Sequence, residues 1–210
     1  MQDVDSKPNL RRRLLTARSA LGADARAAAG RAIRDTLLDL PELEMAASVA
    51  GYVSFGAEPE TRGLLFALWK RGTYVLLPRL LPDGDLDWAS YEGPESLAPT
   101  SFARSRRASD APAAVAPSTG PLEPTEPSRG PEAIKAADVV LVPAVAVDRT
   151  GMRLGRGGGS YDRALARVGP GILTIGLVYD DELLDVLPSE PHDQRLRAVV
   201  TPSRGLVRFG

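Results

Sequence analysis

"SVAGYVSFGAEPETRGLLFALWKRGTYVLLPRL", residues 48–80, is the stretch on which the fold turns. It opens with an apolar, β-branched run over 48–55, which predicts a strand buried on both faces. Pro59 and Glu60 then open a helical segment over 59–72, and Gly72 closes it. A second apolar run follows at once over 73–80. Strand, helix and strand in that order make a βαβ unit, whose two strands lie parallel in one sheet.

Moving outward, residues 7–21 predict a helix with Leu10, Leu14, Ala17 and Leu21 on one face and Pro8 tolerated in the first turn. Lys7 and Arg11 lie four apart and share a face of their own. A second helix is expected over 24–40, with Asp24 as its N-cap and Pro41 as its stop. On the other side, "PDGD" at 82–85 reads as a turn and 86–91 as a half-buried strand. Residues 93–131 are rich in Pro, Ser, Ala and Gly, carry "RSRR" at 104–107, and read as one long extended loop. Residues 137–148 form the most continuously apolar strand. A helix over 161–168, a strand over 171–180, a short helix over 181–187 and a last strand over 197–202 complete the chain. The expected architecture is a three-layer α/β fold, a mostly parallel sheet with helices on both faces, in one domain spanning 1–210.

Composition narrows the function classes. A chain of 210 residues that is 43% hydrophobic suits one globular core. The formal charge of −1 gives no general attraction to nucleic acid. No run approaches the roughly 18 unbroken apolar residues of a membrane span. The N-terminal "MQDVDSKPNLRRRLL" carries charge without a following apolar segment, so a cytoplasmic location is expected rather than secretion. With no cysteine, a disulfide scaffold, a thiolate metal site and a cysteine nucleophile are excluded together. His192 is the sole histidine, which excludes a His-rich metal cluster, and it reads as structural. Trp69 and Trp88 read as core or edge packing, and a monomer is the default. Lysine occurs only at positions 7, 70 and 135; arginine supplies the other cations and is the better planar partner for phosphate or carboxylate. Genome base composition also favours arginine, so that bias is permissive only.

The chemistry concentrates in "GMRLGRGGGSYDR", residues 151–163. The loop lies between a buried strand and a helix, where open α/β sheets bind ligands. Glycines let backbone amides approach an anion, a helix N-terminus favours one, and Arg153 and Arg156 add full charges. The loop lacks the lysine of a Walker A motif, and a dinucleotide fingerprint would need glycine at Ser160. The spacing therefore predicts an anion loop without saying which anion. The competing reading is a surface hairpin with Asp148–Gly151 as its turn. Asp162, beside the loop, stands where a Mg²⁺ ligand would, although an acid there also serves as a helix cap.

"LVPAVAVDRTGMRLGRGGGSYDR" closely resembles the signature of the 5-formyltetrahydrofolate cyclo-ligase family, V-P-[GA]-[LV]-A-[FV]-D-x-x-G-x-R-L-G-[YR]-G-[GK]-G-Y-Y-D. Other landmarks fall in the family's order: Lys7 and Arg11 as K-x-x-x-R, Glu58–Thr61 as E-P-E-T, Pro78-Arg79, Glu123-Pro124, and "PSEPHDQ" near the C-terminus. The resemblance implies a three-layer α/β enzyme that uses ATP and Mg²⁺ to convert 5-formyltetrahydrofolate into 5,10-methenyltetrahydrofolate, ADP and phosphate. By the same resemblance Lys7 and Arg11 contact ATP phosphates, and Arg153, Leu154, Gly155, Arg156, Gly157, Gly158, Gly159, Ser160 and Tyr161 form the ATP loop. Its inner part, Arg156–Ser160, also borders the formyl group, with Arg156 and Tyr161 implied in the chemical step. Asp162 and Asp193 are the implied Mg²⁺ ligands; Val53 and Glu58 are the implied folate contacts.

Two departures stand out. Ser160 replaces the first tyrosine of the family's Tyr-Tyr-Asp, and the passage over 100–120 is longer than usual. Two alternatives accompany the ligase reading: an ATP-dependent enzyme of the same fold with a different acceptor, and a non-catalytic homologue that binds folate or nucleotide.

Overall fold

The structure is a computed structural model that describes residues 6–100 and 121–210. Most of the expected 93–131 loop, including the 104–107 arginines, lies outside the described residues. The chain enters through α1 (Lys7–Ser19), α2 (Ala23–Leu38) and the single turn α3 (Pro41–Glu44). The predicted unit follows as β1 (Ser48–Ala50), α4 (Arg62–Lys70) and β2 (Tyr74–Leu80), with β1 and β2 parallel from Ser48↔Tyr74 to Ala50↔Leu76. β3 (Leu86–Ser90) returns antiparallel on β2, and β4 (Leu97–Pro99) pairs antiparallel with β5 (Leu122–Pro124). Then come β6 (Val139–Pro143), β7 (Ala146–Asp148), β8 (Arg153–Leu154) and α5 (Ser160–Leu165). β9 (Leu173–Leu177), β10 (Leu183–Leu184), β11 (Ala198–Thr201) and β12 (Gly205–Arg208) close the chain.

The main sheet runs β12-β11-β9-β6-β1-β2-β3, with the five inner strands parallel and the two edge strands antiparallel. Because side chains alternate along a strand, each inner strand feeds two cores. Val49, Val75, Leu77, Val139, Leu141 and Ile175 pack with Ile33 and Leu37 of α2 and Leu64, Leu65 and Leu68 of α4. Ala50, Leu76, Val140, Val142 and Val199 face the other way, onto Ile134, Ala164 and Leu165. That is the three-layer arrangement expected, and it explains why these strands read as unbroken apolar runs. A second, three-stranded sheet, β10-β7-β8, packs its Ala146 and Leu154 against Leu10 of α1.

Several local expectations change. The apolar run 137–148 is two strands in two sheets, parted at Ala144–Val145, because the Val145 N–H donates to the Leu154 carbonyl (2.7 Å) instead of continuing the main ladder. The expected 48–55 strand keeps its ladder only over Ser48–Ala50. Residues 86–90 are buried throughout rather than on one face, since the 3₁₀ segment Pro131–Ala136 covers the second face. The 181–187 helix is instead a 3₁₀ turn, Asp180–Glu182, followed by β10. The strand at 198–201 is not the last: Gly205–Arg208 pairs back on it. Gly22, not Asp24, occupies the N-cap of α2, and Asp24 lies in its first turn. Ala17 is exposed, and Arg18 takes its place on the buried face of α1. Residues 97–99 and 122–124, read as irregular, form a short antiparallel pair. No helix among the described residues is long and apolar enough to cross a membrane.

The 82–85 turn is tied to the segment just after α5 by a bidentate pair, Arg167 Nη1 and Nη2 on Asp85 Oδ1 (3.0 Å) and Oδ2 (2.5 Å). Hydrogen bonding from Arg167 holds the Asp85 carboxyl below the usual carboxylate range, with burial opposing it. A carboxyl whose folded pKa is depressed contributes stability above its unfolded pKa, about 3.9, and loses it as pH falls through the lower folded value. We therefore expect Asp85→Asn to melt below the parent at pH 7 and the gap to close as the pH drops below about 4. Thermal unfolding from pH 7 to 3 checks this; a gap that is the same at every pH counts against the pair.

Candidate active site

The site lies where the parallel strands end at their carboxyl edge. Three connections meet there: the segment after β1 carrying Val53 and Glu58, the segment after β6 leading to the β7–β8 hairpin, and the segment after β9. The Asp148–Gly151 turn of that hairpin exists as the competing reading expected, with Asp148 Oδ1 accepting from the Thr150 N–H (2.8 Å). The glycine run 155–159 lies beyond the hairpin, directly before α5. The strand that delivers it is thus the two-residue β8 of the small sheet, not a strand of the main one. Helix α5 has six residues, shorter than 161–168, so its dipole is weak and side chains carry most of the positive charge.

α1 lays its cations across this loop. Arg11 Nε donates to the Gly155 carbonyl (2.7 Å), and its guanidinium lies against Gly157, where a Cβ would stand 3.5 Å from it. Gly157 has φ +102°, a backbone state open to glycine at little cost, so the loop can curl under the guanidinium. One helical turn earlier, Lys7 Nζ contacts Glu190 Oε2 and Asp193 Oδ2, each at 2.7 Å. Burial acts to lower the Lys7 pKa, but the hydrogen bonds to Asp193 and Glu190 outweigh it and raise it, so the ammonium stays charged. The same contact holds the Asp193 carboxyl below its usual range against the opposing effect of burial.

Across the loop, Arg156 meets Glu58: Nε donates to Oε1 at 3.0 Å, and the guanidinium lies over the Phe55 ring. Glu58 Oε2 accepts from the Phe55 N–H (2.8 Å), which fixes the carboxylate at the rim. Arg153 behaves differently from Arg156. Its side chain is buried, donates to Asp162 Oδ1 (3.0 Å) and the Pro143 carbonyl (3.3 Å), and lies beneath the Tyr161 ring. A guanidinium that deep needs a carboxylate beside it, and Asp162 supplies one. Tyr161 Oη and Arg153 Nε are buried with no protein partner. Burial, reinforced by the negative charge of Glu58, drives the Tyr161 phenol far above its ordinary pKa. The phenol is therefore held neutral.

The side chains of three further expected site residues have contacts of their own. The Leu154 side chain is buried in the core against α1, leaving only its backbone toward the loop. Val53 packs partly buried against the α4-side core. Ser160 Oγ donates to the Gly84 carbonyl (2.6 Å), an acceptor that Arg163 also contacts, and so anchors the 82–85 turn. The two expected metal ligands are neighbours through the Gln194 N–H, which donates to Asp162 Oδ1 (3.3 Å). The ligand-like cluster among the described residues is Glu190, His192 and Asp193, without Asp162. His192 is exposed, with its Nε2 3.8 Å from both Glu190 Oε2 and Asp193 Oδ1. The hydrogen bonds to the two expected metal ligands fall on Asp162 Oδ1 and Asp193 Oδ2, while Asp193 Oδ1 is the oxygen beside His192.

Sequence reasoning missed Glu190, which lies inside the quoted "PSEPHDQ", and the buried pair Arg18–Glu182. Arg18 carried a signal: it stands four and eight residues after Leu14 and Leu10, on their stripe.

A mostly parallel open sheet, with a glycine loop flanked by cations at its carboxyl edge, defines the class as α/β. The chain belongs to the 5-formyltetrahydrofolate cyclo-ligase family, a ligase family whose model matches residues 3–202. It is 39% identical over 207 residues to the 5-formyltetrahydrofolate cyclo-ligase of Mycolicibacterium smegmatis, covering 96% of each chain. To the Escherichia coli K12 enzyme of that name it is 32% identical over 194 residues, covering 89% of this chain and 95% of that one. The solution structure of Aquifex aeolicus 5,10-methenyltetrahydrofolate synthetase superposes with a TM-score of 0.76 at 26% identity, covering 97% of this chain and 92% of the other. The synthetase of Mycoplasma pneumoniae, at 20% identity and a TM-score of 0.68, shares the fold.

Proposed function

We propose that this chain closes 5-formyltetrahydrofolate to 5,10-methenyltetrahydrofolate at the expense of ATP, with Mg²⁺, releasing ADP and phosphate. The observation that carries the reading is the 3.0 Å contact between Arg156 and Glu58. The first belongs to the phosphate side of the site and the second to the folate side, and a phosphoryl group passing between the two ligands must cross where they meet.

An N-formyl oxygen is a weak leaving group until phosphorylated. The formyl oxygen attacks the γ-phosphorus, an O–P bond forms, and the bond to ADP breaks. N10 then attacks the activated carbon; a C–N bond forms, N10 loses its proton, and phosphate departs with the C–O electrons. The protein's task is positioning and charge neutralisation. Lys7 and Arg11 neutralise the ATP phosphates, and Arg156 donates to the oxygens of the transferring group. Glu58, fixed by the Phe55 N–H, accepts from the donor-rich edge of the pterin. Tyr161 donates a hydrogen bond without titrating. Asp162 and Asp193 would hold magnesium, which supplies further neutralisation of phosphate charge when bound.

The test follows methenyl product by absorbance, with purified protein, 5-formyltetrahydrofolate, ATP and Mg²⁺, omitting each in turn. Product that requires all four is expected. A folded protein that binds ATP yet forms no product would move the reading to a different acceptor.

A further inference from the structure

Behind the site lies a charge pair to which none of these steps assigns a part. Arg18, in the last turn of α1, donates from Nε to Glu182 Oε1 (2.7 Å) and from Nη2 to Oε2 (2.6 Å). The two side chains are 2% and 6% exposed, so this is a desolvated bidentate pair rather than a surface contact. Nη2 also donates to the Ala144 carbonyl (2.9 Å), immediately after β6. Glu182 Oε2 accepts from the Tyr179 N–H (2.8 Å), after β9. The guanidinium lies over the Tyr179 ring, 5.5 Å from its centroid, and Tyr179 Oη donates to the Ala57 carbonyl (3.1 Å), the residue before Glu58. One planar fork therefore links α1 directly to the segments after β6 and β9, and through Tyr179 to the segment after β1 that carries Glu58.

A buried ion pair is a poor source of stability, because hydrocarbon of the same size often serves as well or better. What such a fork supplies is direction: its donors accept partners only in one plane and at fixed angles. The elements it joins are those that carry the two halves of the site. Lys7 and Arg11 ride on α1, with Arg11 about 10 Å along the helix from Arg18 at 1.5 Å per residue. Glu58 rides on the segment held through Tyr179. A small rotation of α1 would separate the phosphate-binding cations from the glycine loop that Arg11 now holds.

We propose that Arg18 and Glu182 are a positioning pair that sets α1, with Lys7 and Arg11, in register with the glycine loop and the Glu58 segment for ATP binding and transfer. The role rests on the ligase reading above. Neither residue is assigned contact with a ligand.

The experiment compares the parent with Arg18→Met/Glu182→Leu, Arg18→Lys and Glu182→Gln in the methenyl-product assay, alongside thermal unfolding of each. The double variant fills the space with hydrocarbon and leaves no buried charge alone, so it should melt within a few degrees of the parent. Its KM for ATP should nevertheless rise about tenfold, more than its KM for 5-formyltetrahydrofolate, and its kcat should fall. Arg18→Lys keeps the charge but not the fork, and should show the same ATP-biased KM shift. A folded double variant with parental KM and kcat overturns the proposal and leaves the ligase reading untouched. If the double variant does not fold, parental constants in both Arg18→Lys and Glu182→Gln overturn it equally. A parent that makes no product removes the ligase reading, and the positioning role with it.

Discussion

Replacing Arg156 with alanine should lower kcat by about 10²- to 10³-fold, the scale seen when one preorganised donor to developing charge is lost. The melting temperature should barely change. The Arg156 side chain is 49% exposed, and its partners are one carboxylate and the face of Phe55. An exposed pair of that kind contributes about 0–1 kcal/mol to folding, so the loss falls on chemistry rather than on the fold. Lysine at 156 should restore part of the rate, since it returns the charge without the planar set of donors. Steady-state product formation and thermal unfolding of the two variants decide the matter. Near-parental turnover in Arg156→Ala would remove the residue from the chemical step and with it the meaning given to its contact with Glu58.

Gly151→Ala should destabilise the fold by about 2–5 kcal/mol, from a positive φ and an overpacked contact together. Gly151 has φ +83°, and a Cβ there would stand 2.4 Å from the Leu196 carbonyl oxygen. That neighbour is backbone and cannot swing aside. Moving it also strains the bond from the Leu196 N–H to the Gly151 carbonyl (2.8 Å). The displaced segment, which leads into β11, lies three residues after Asp193, so ATP-dependent activity should fall along with stability. Gly171→Ala is the control: nothing approaches within 4 Å, its φ is not positive, and it should change stability by no more than about 0.5 kcal/mol. Urea unfolding of both variants provides the comparison, and equal midpoints would show that the hairpin turn yields more easily than its geometry indicates.

The site was legible in the sequence where chemistry depends on residue type at short range. The glycine run predicted a backbone able to bend closely, and its flanking arginines predicted anionic partners, which the structure supplies as the carboxylates of Asp162 and Glu58. What the sequence left open was which arginine faces out. Arg153 and Arg156 look alike in the chain, three residues apart. The first is buried against Asp162 while the second stays at the rim with Glu58, because β8 turns Arg153 into the protein before the loop begins. Ser160 was open for the same reason: only the approach of the 82–85 turn gives its hydroxyl an acceptor.

The sequence by itself determined the layers of this protein. Apolar runs that alternate with helical segments can bury both faces of their strands only in a parallel sheet covered on both sides, and local periodicity records that requirement. Tertiary structure alone decided where the run 137–148 breaks, since an unbroken apolar stretch has no period to mark the change of partner from β9 to β8. It also decided that β12 forms and that residues 183–184 are strand rather than helix, because pairs too short to hold together alone form only on a neighbour already in place. The same holds for Arg18: a cation on an apolar stripe goes inside only when a carboxylate 164 positions away arrives to meet it, and no local rule counts that far.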